Sequence, residues 1–455
     1  MIRTLQQFAT ASHGRLLGND RDFNEVAIDS RKLAAGDLFA ALRGEHADGH
    51  QYVEAAAKAG AAGAIVQRTL KVDLPQIVVN DVEMAMAECA RTARARFRAP
   101  VIGVAGSNGK TTVKEMLAAI LARLGPCLST RGNLNNHLGV PITLLRLNET
   151  HRSAVIEMGA NRRGDVEHLA SIARPGIGLI TNAGAEHLEG FGSLEGAARA
   201  EGEMVAGLPS TGTAVINADD AYASLWRAST AATVLTFGMR PEADYHARDV
   251  RLEAGADGFS TRFRLRSPRG ETEVAMAVAG RHNVLNALAA AAAATSAGAS
   301  LEDVGAGLAS LQAVKGRLQF KRTANGAWLI DDSYNANPSS ARAALEVLSD
   351  MPGRRWAVLG DMAELGDFAD DSHREIGELA RSLGVERFFA FGKLAALAAD
   401  SFGSGAEKFN DAAALSDALG TAITPDVRLL IKGSRVNRLE RIVEALVTGT
   451  SAGRI

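Results

Sequence analysis

The segment VIGVAGSNGKTT, residues 101–112, constrains the fold more than any other part of the chain. It reads as a buried β-branched strand, a glycine-rich turn and the start of a helix over 113–124. Glycines at 103, 106 and 109 let the backbone curl so that successive N–H groups point at one anion. The helix N-terminus adds its partial positive charge. Lys110 can reach the β- and γ-phosphates of a nucleotide, and Thr111 can place its hydroxyl on Mg²⁺. The strict phosphate-loop pattern asks for glycine at 104, where this chain has valine. Strand, glycines, lysine and paired threonines together still point to ATP, with Gly106, Ser107, Asn108, Gly109, Lys110, Thr111 and Thr112 as its contacts. The blander reading is a tight turn with an incidental lysine. The loop alone does not separate a kinase, a switch, a motor or a ligase.

The same strand-then-helix unit recurs. VIGVA, SAVIEM, GIGLIT and GTAVIN are short apolar runs, each followed by a helical stretch, which argues for a parallel sheet covered on both faces. Before them, EVAIDS, GDLFAAL and QIVVN alternate with an alanine-rich helix over 53–62, and a helix over 82–97 leads to Pro100. Beyond residue 314, WLIDDSYNANP, RWAVLGD, RFFAFG and VRLLIKGS repeat the rhythm in a shorter unit. The expectation is an α/β protein of three domains. They are a small mixed N-terminal domain (1–82), a central phosphate-loop domain with a parallel sheet (83–314) and a C-terminal doubly wound, Rossmann-like domain (315–455). A length of 455 residues accommodates three such units.

Composition removes other classes. Lys plus Arg is 50 and Asp plus Glu 52, a formal charge of −2, so no basic surface calls for nucleic acid or an anionic membrane. Two cysteines, far apart, fit a reducing compartment. The N-terminus lacks the apolar core of a signal peptide. The run over 285–300 is too short and too rich in alanine to cross a bilayer, and reads as a helix packed closely on a sheet. A soluble, cytoplasmic monomer is expected.

Phosphoryl transfer needs Mg²⁺ held by oxygen ligands beside the γ-phosphate. The strand SAVIEM carries Glu157 near its end, and GIGLIT is followed by Asn182, Glu186 and His187. In an open parallel sheet, ligands collect beyond the carboxyl ends of the strands. Singly, Glu157 reads as a solvated strand end and His187 as a loop histidine; beside the phosphate loop, metal binding is the stronger reading.

At this point the motifs match a family. GVAGSNGKTT, the Glu157 strand, TNAGAEHLEGFGS (181–193), GRHNVLNALAA (280–290), GRL (316–318), DDSYNANP (331–338) and GDMAELG (360–366) together resemble the Mur ligases. The last two, with GNLNNHLGVP (132–141) and SRKLAAGDLFAALRGEHADGH (30–50), resemble the MurF type within that family. The resemblance runs from about residue 26 to 435. It implies that ATP phosphorylates the terminal carboxylate of a UDP-MurNAc-tripeptide and that the amine of D-Ala-D-Ala attacks the acyl phosphate. By resemblance, two Mg²⁺ ions are held by Thr111, Glu157 and His187. Asn283 and Arg317 resemble ATP contacts at the adenine and the phosphates, and Asp332 the ribose-binding acid. Ser30, Arg31, Arg43, Gly44 and Asp48 resemble a uridine-nucleotide pocket, and Asn133, Asn135 and Asn136 a loop that touches the UDP-sugar peptide. Tyr334, Asn335, Asn337 and the loop 361–366 would face the incoming dipeptide. His373 reads as a surface helix residue outside the site. The third residue of the tripeptide is not legible.

One position departs from the family. The Mur ligases carry a lysine whose carbamylated amine supports the second magnesium; the matching stretch here, Ala198 to Met204, has Glu201 in its place. Glu201 is either a solvated helix residue or a permanent carboxylate standing in for the carbamate. The second reading preserves the charge that the metal needs, and it makes Glu201 a catalytic and metal-site candidate with Lys110, Glu157 and His187. Two other functions compete: another ligase of the same superfamily, either a folylpolyglutamate synthase, which would lack the 30–50 motif, or a Mur ligase adding one amino acid, and a nucleotide-gated switch, which would form no ligated product.

Overall fold

The structure is a computed structural model that describes residues 1–44, 47–184, 188–255, 258–312 and 315–450. Among these, the strands form three sheets, and each sheet carries helices of its own, giving three α/β domains.

The N-terminal sheet has five short strands. Val26–Ala27, Leu38–Ala40, Gly63–Val66 and Gln76–Val78 are parallel, and Arg15–Leu17 closes the far edge antiparallel. The helix expected over 53–62 ends at Lys58. Gly60 turns into the left-handed region (φ +87) and the apolar run after it becomes the strand Gly63–Val66, buried throughout. A short apolar run fits a buried strand as well as a helix, and here the sheet claims it. Asp81 caps the helix Val82–Arg96 by accepting the Met84 N–H. That helix carries one continuous core from Phe8 through Cys89 to Ala154 of the next domain.

The central sheet has nine strands. Thr233–Gly238, Thr213–Asn217, Ile177–Ile180, Val101–Ala105, Ser153–Glu157 and Cys127–Ser129 are parallel neighbours in that order. Beyond Thr233–Gly238 the sheet continues as Tyr245–Gly255, Gly258–Ser267 and Gly270–Met276, the last three joined antiparallel. Phe263 and Leu265 point inward while Arg262 and Arg264 are exposed, the period-two pattern of a half-covered strand. The alanine-rich helix spans Arg281–Ser296, a turn earlier than expected, because Gly280 (φ +102) starts it. Its alanines are buried on all sides, which lets the helix Lys110–Leu121 approach closely.

In the C-terminal sheet, Trp328–Asp332, Val427–Lys432, Arg354–Gly360, Arg387–Phe391 and Ala406–Phe409 are parallel, and Gln319–Arg322 is an antiparallel edge. The central hairpin reaches this domain. Phe259 packs on Phe320 (ring centroids 5.2 Å) and edge-on to Trp328 (6.1 Å), and Leu252 joins the same core. His373, expected at the surface, is instead fully buried. Its Nε2 accepts the Met362 N–H at 2.9 Å and its Nδ1 faces the Ala369 carbonyl at 2.6 Å. Burial lowers its pKa, so it braces the 361–366 loop as a neutral imidazole.

Candidate functional site

The carboxyl ends of Val101–Ala105 and Ser153–Glu157 face those of Trp328–Asp332 and Val427–Lys432 across a cavity of about 490 Å³, within the range of small-molecule sites. Two glycines shape the phosphate loop on its floor. A Cβ on Gly106 (φ +118) would meet Thr181 Oγ1 at 2.1 Å, and one on Gly109 (φ +85) would meet Asn286 Oδ1 at 2.4 Å. Gly103 does not belong to the curl. It lies in the strand, and its missing Cβ makes room for Met204 of the helix Leu194–Ala206.

The strand end after Ile177–Ile180 holds the loop. Asn182 Oδ1 accepts the Asn108 N–H at 3.0 Å, Thr181 Oγ1 donates to the Asn108 carbonyl at 2.6 Å, and Ser107 Oγ accepts the Gly184 N–H at 2.8 Å. Asp220 in turn accepts the Ala183 N–H; burial pushes its carboxyl up, and the N–H groups of Tyr222 and Ala183 pull it back. The helix Lys110–Leu121 begins at Gly109 and aims its N-terminus into the cavity. The Lys110 ammonium lies over the loop, donating to the carbonyls of Gly106 (2.5 Å) and Ser107 (3.0 Å).

Glu157 is 2% exposed. Its Oε1 accepts from Thr111 Oγ1 at 3.2 Å and from Asn135 Nδ2 at 2.8 Å, whereas its buried Oε2 has no hydrogen-bond partner among the described residues. A buried carboxylate oxygen without a donor is costly, and with the adjacent Thr111 hydroxyl it fits a hard cation that takes oxygen ligands. His187 and Glu186 lie outside the described residues. Among the described residues no cluster of three or more His, Cys, Asp or Glu side chains forms a ready-made metal cage.

Glu201 is fully buried behind the loop, not solvated. Its Oε2 accepts the Gly106 N–H at 2.6 Å, so the helix Leu194–Ala206 delivers a carboxylate directly to the phosphate-loop backbone.

From the C-terminal domain, Arg317 Nη2 reaches Thr111 Oγ1 at 3.3 Å while its guanidinium lies 4.5 Å from the Tyr334 ring centroid. Asn337 caps the helix Pro338–Ser349 through Oδ1 and donates Nδ2 to Asn108 Oδ1 at 2.8 Å. Asp332, Asn335 and Asn283 also line the cavity. Asn283 donates to the Ala279 carbonyl and accepts from Asn286. Asn133, Asn135 and Asn136 form the opposite wall, with Asn136 Oδ1 capping the helix Gly139–Leu145 through the N–H groups of Leu138 and Gly139.

Ser30, Arg31, Arg43, Gly44 and Asp48 do not line this cavity. They lie on the N-terminal domain, where Arg31 pairs with Asp29, and Asp48 with His50 and Arg68. Those partners hold the Asp48 carboxyl below its ordinary range. Arg131, at the start of the asparagine loop, pairs with Glu25 beside the strand Val26–Ala27 and so links that domain to the cavity wall. The loop 361–366 is likewise absent from the lining; Asp361 accepts the Ala395 N–H within its own domain.

Among the lining residues not anticipated as site candidates are His282, Asn286 and Lys432. Burial pushes the His282 pKa down to about 4, the nearby Lys432 acting the same way and Asp332 against it. Lys432 ends a parallel strand, a position from which its place at the cavity could have been inferred.

The chain belongs to the Mur ligase family. The model of the Mur ligase middle domain matches residues 104–294, that of the Mur ligase glutamate ligase domain 316–435, and that of the Mur ligase family catalytic domain 22–121. Within the family, the chain is 43% identical over 448 residues to the UDP-N-acetylmuramoyl-tripeptide–D-alanyl-D-alanine ligase of Escherichia coli (strain K12), covering 97% of this chain and 98% of that protein. A crystal structure of MurF from Acinetobacter baumannii superposes with a TM-score of 0.89 at 35% identity, covering 97% and 98% of the two chains. MurF ligase from Thermotoga maritima in complex with ADP gives 0.79 at 27% identity, covering 93% and 97%. Among the described residues, no helix is long and apolar enough to cross a membrane.

Proposed function

We propose that this chain is an ATP-dependent ligase that joins D-alanyl-D-alanine to UDP-N-acetylmuramoyl-tripeptide in cytoplasmic peptidoglycan-precursor synthesis. The observation that carries the reading is the meeting over one cavity of a phosphate loop, Arg317 from the opposite domain and a Glu157 Oε2 that has no partner among the described residues. The names of its relatives, at 43% and 36% identity over nearly the whole chain, supply the substrate class.

Two anions must meet before a carboxylate can become an electrophile. Lys110, the N–H groups at the start of its helix and Arg317 bind the ATP phosphates and spread their charge. The tripeptide carboxylate attacks the γ-phosphorus, the bond to the bridging oxygen breaks, and ADP leaves. The dipeptide amine, having lost a proton, then attacks the acyl carbon; the C–O bond breaks, phosphate leaves and the amide forms. Thr111 and Glu157 would hold magnesium with His187, and when bound it adds positive charge at the phosphoryl oxygens. Glu201 would serve as a fixed carboxylate toward a second ion, at the position where the family resemblance implies a carbamylated lysine. We assign residues 1–82 to the uridine nucleotide, 83–314 to ATP and 315–455 to the dipeptide, in a monomer.

The test offers the chain ATP with either UDP-MurNAc-tripeptide plus D-Ala-D-Ala or folate plus glutamate, following phosphate release and product mass. Pentapeptide product is expected; phosphate release with the folate pair alone overturns the reading. Turnover should be insensitive to removal of CO₂ and bicarbonate. Glu201→Gln should slow acyl-phosphate formation by roughly 10²-fold, the scale of one lost electrostatic group; normal turnover in that variant removes Glu201 from the site.

A further inference from the structure

Lys432 ends the strand Val427–Lys432 and is 3% exposed. Its ammonium donates to Asp332 Oδ2 at 2.5 Å and to the Asn335 carbonyl at 2.9 Å. The other carboxylate oxygen, Asp332 Oδ1, accepts the N–H of Leu318 at 3.1 Å. Leu318 has φ +47, a left-handed conformation that a leucine adopts only at a cost. Two residues earlier, Gly316 (φ +71) accepts the Tyr334 N–H through its carbonyl at 3.1 Å. Arg317 is therefore mounted on a doubly bent segment pinned on both sides to the Asp332–Tyr334 stretch. Strain of this kind persists where the surroundings over-determine it. Here the over-determining group is a carboxylate fixed by one buried lysine.

We propose that Lys432 is a positioning residue for the phosphoryl-transfer step, acting through Asp332 and the strained Leu318 to aim Arg317 at the phosphate loop. Among the described residues the Lys432 ammonium bonds to Asp332 and Asn335, both in the C-terminal domain, and not to the phosphate loop. Its effect on ATP passes through the segment 316–318, the one part of that domain whose arginine reaches Thr111. The inference rests on the cavity being the ATP site. A purely structural ion pair would stabilise the domain equally whether or not Arg317 were present.

That difference defines the experiment. Phosphate release by the full chain, with ATP and both proposed substrates, is measured for the native chain, Lys432→Met, Arg317→Ala and the double variant. Each single substitution is expected to lower kcat/KM for ATP by roughly 10²-fold, the cost of a misplaced contact of this kind. The double variant should be no worse than Arg317→Ala within about twofold, because the two act in series. Native kcat/KM in Lys432→Met, or an equal loss on top of Arg317→Ala, overturns the proposal. Should Lys432→Met fail to fold, Lys432→Gln keeps a donor for Asp332 and enters the same cycle, with an expected loss of roughly tenfold. Failure of the native chain to release phosphate with any acceptor would instead sink the ligase reading beneath it.

Discussion

The central and C-terminal domains meet at two seams of opposite character. At one, Phe259 and Leu252 of the central hairpin enter the core of the C-terminal domain beside Phe320 and Trp328. At the other, across the cavity, the contacts are polar: Asn337 to Asn108 and Arg317 to Thr111. Burying a large aromatic side chain contributes about 1.5–3 kcal/mol, whereas one neutral hydrogen bond nets about 1. The first seam is suited to hold the domains together at all times. The second can exchange its bonds with water or ligand at little net cost. An enzyme that must admit a nucleotide and then exclude water from an acyl phosphate needs this asymmetry.

The sharpest break comes on the polar seam. Lys110→Met should reduce phosphate release by roughly 10³-fold, since the lost group is an electrostatic one at the phosphates, with a small fall in melting temperature from its two lost bonds to the loop carbonyls; unchanged turnover would remove the loop from the chemistry. Next in size, Phe259→Ala should destabilise the chain by about 3 kcal/mol, as for other buried phenylalanines. Its melting temperature should fall and native turnover persist below the new transition, and an unaltered melt would show that the aromatic seam holds nothing. A smaller effect is expected from Asn337→Ser, which retains a helix-capping oxygen and drops the amide. Losing one neutral bond predicts roughly a fivefold rise in KM for ATP with little change in melting. The smallest is a pH effect at the cavity rim. The His282 pKa is held at about 4 by burial, below its ordinary 6.5. The unfolded chain thus binds a proton that the folded chain refuses, and stability contributed by neutral His282 is lost as pH falls from about 6.5 toward 4. His282→Gln should flatten the melting profile over that window, and a profile as steep as the native one would assign the slope elsewhere.

Much of the nucleotide side was legible because its signals are local. A strand, two left-handed glycines, a lysine and a helix start lie within twelve residues, and the fold keeps their order. Gly103 was misread for an instructive reason: its purpose is set by Met204, 101 positions away. His373 was read as a surface residue because helical spacing does not reveal that Met362 would need an acceptor. The antiparallel extension was present in the alternation of Phe263 and Leu265 with arginines, a weaker signal than the apolar parallel strands. Lys432 could have been found at the end of its parallel strand, whereas Asn286 depends on a helix and a loop converging from separate regions, which no window of sequence displays.

The helix Arg281–Ser296 shows what such convergence demands. Alanine has no side-chain torsions, so eight buried positions from Ala287 to Ala294, with Leu288 the lone large residue, leave this rod almost no internal freedom. Its N-terminal turn carries His282, Asn283 and Asn286 to the cavity. Any methyl added along its length would be transmitted as a displacement of that turn. The interior of the helix therefore acts as a ruler, and its sequence should tolerate less drift than many residues that face the ligand itself.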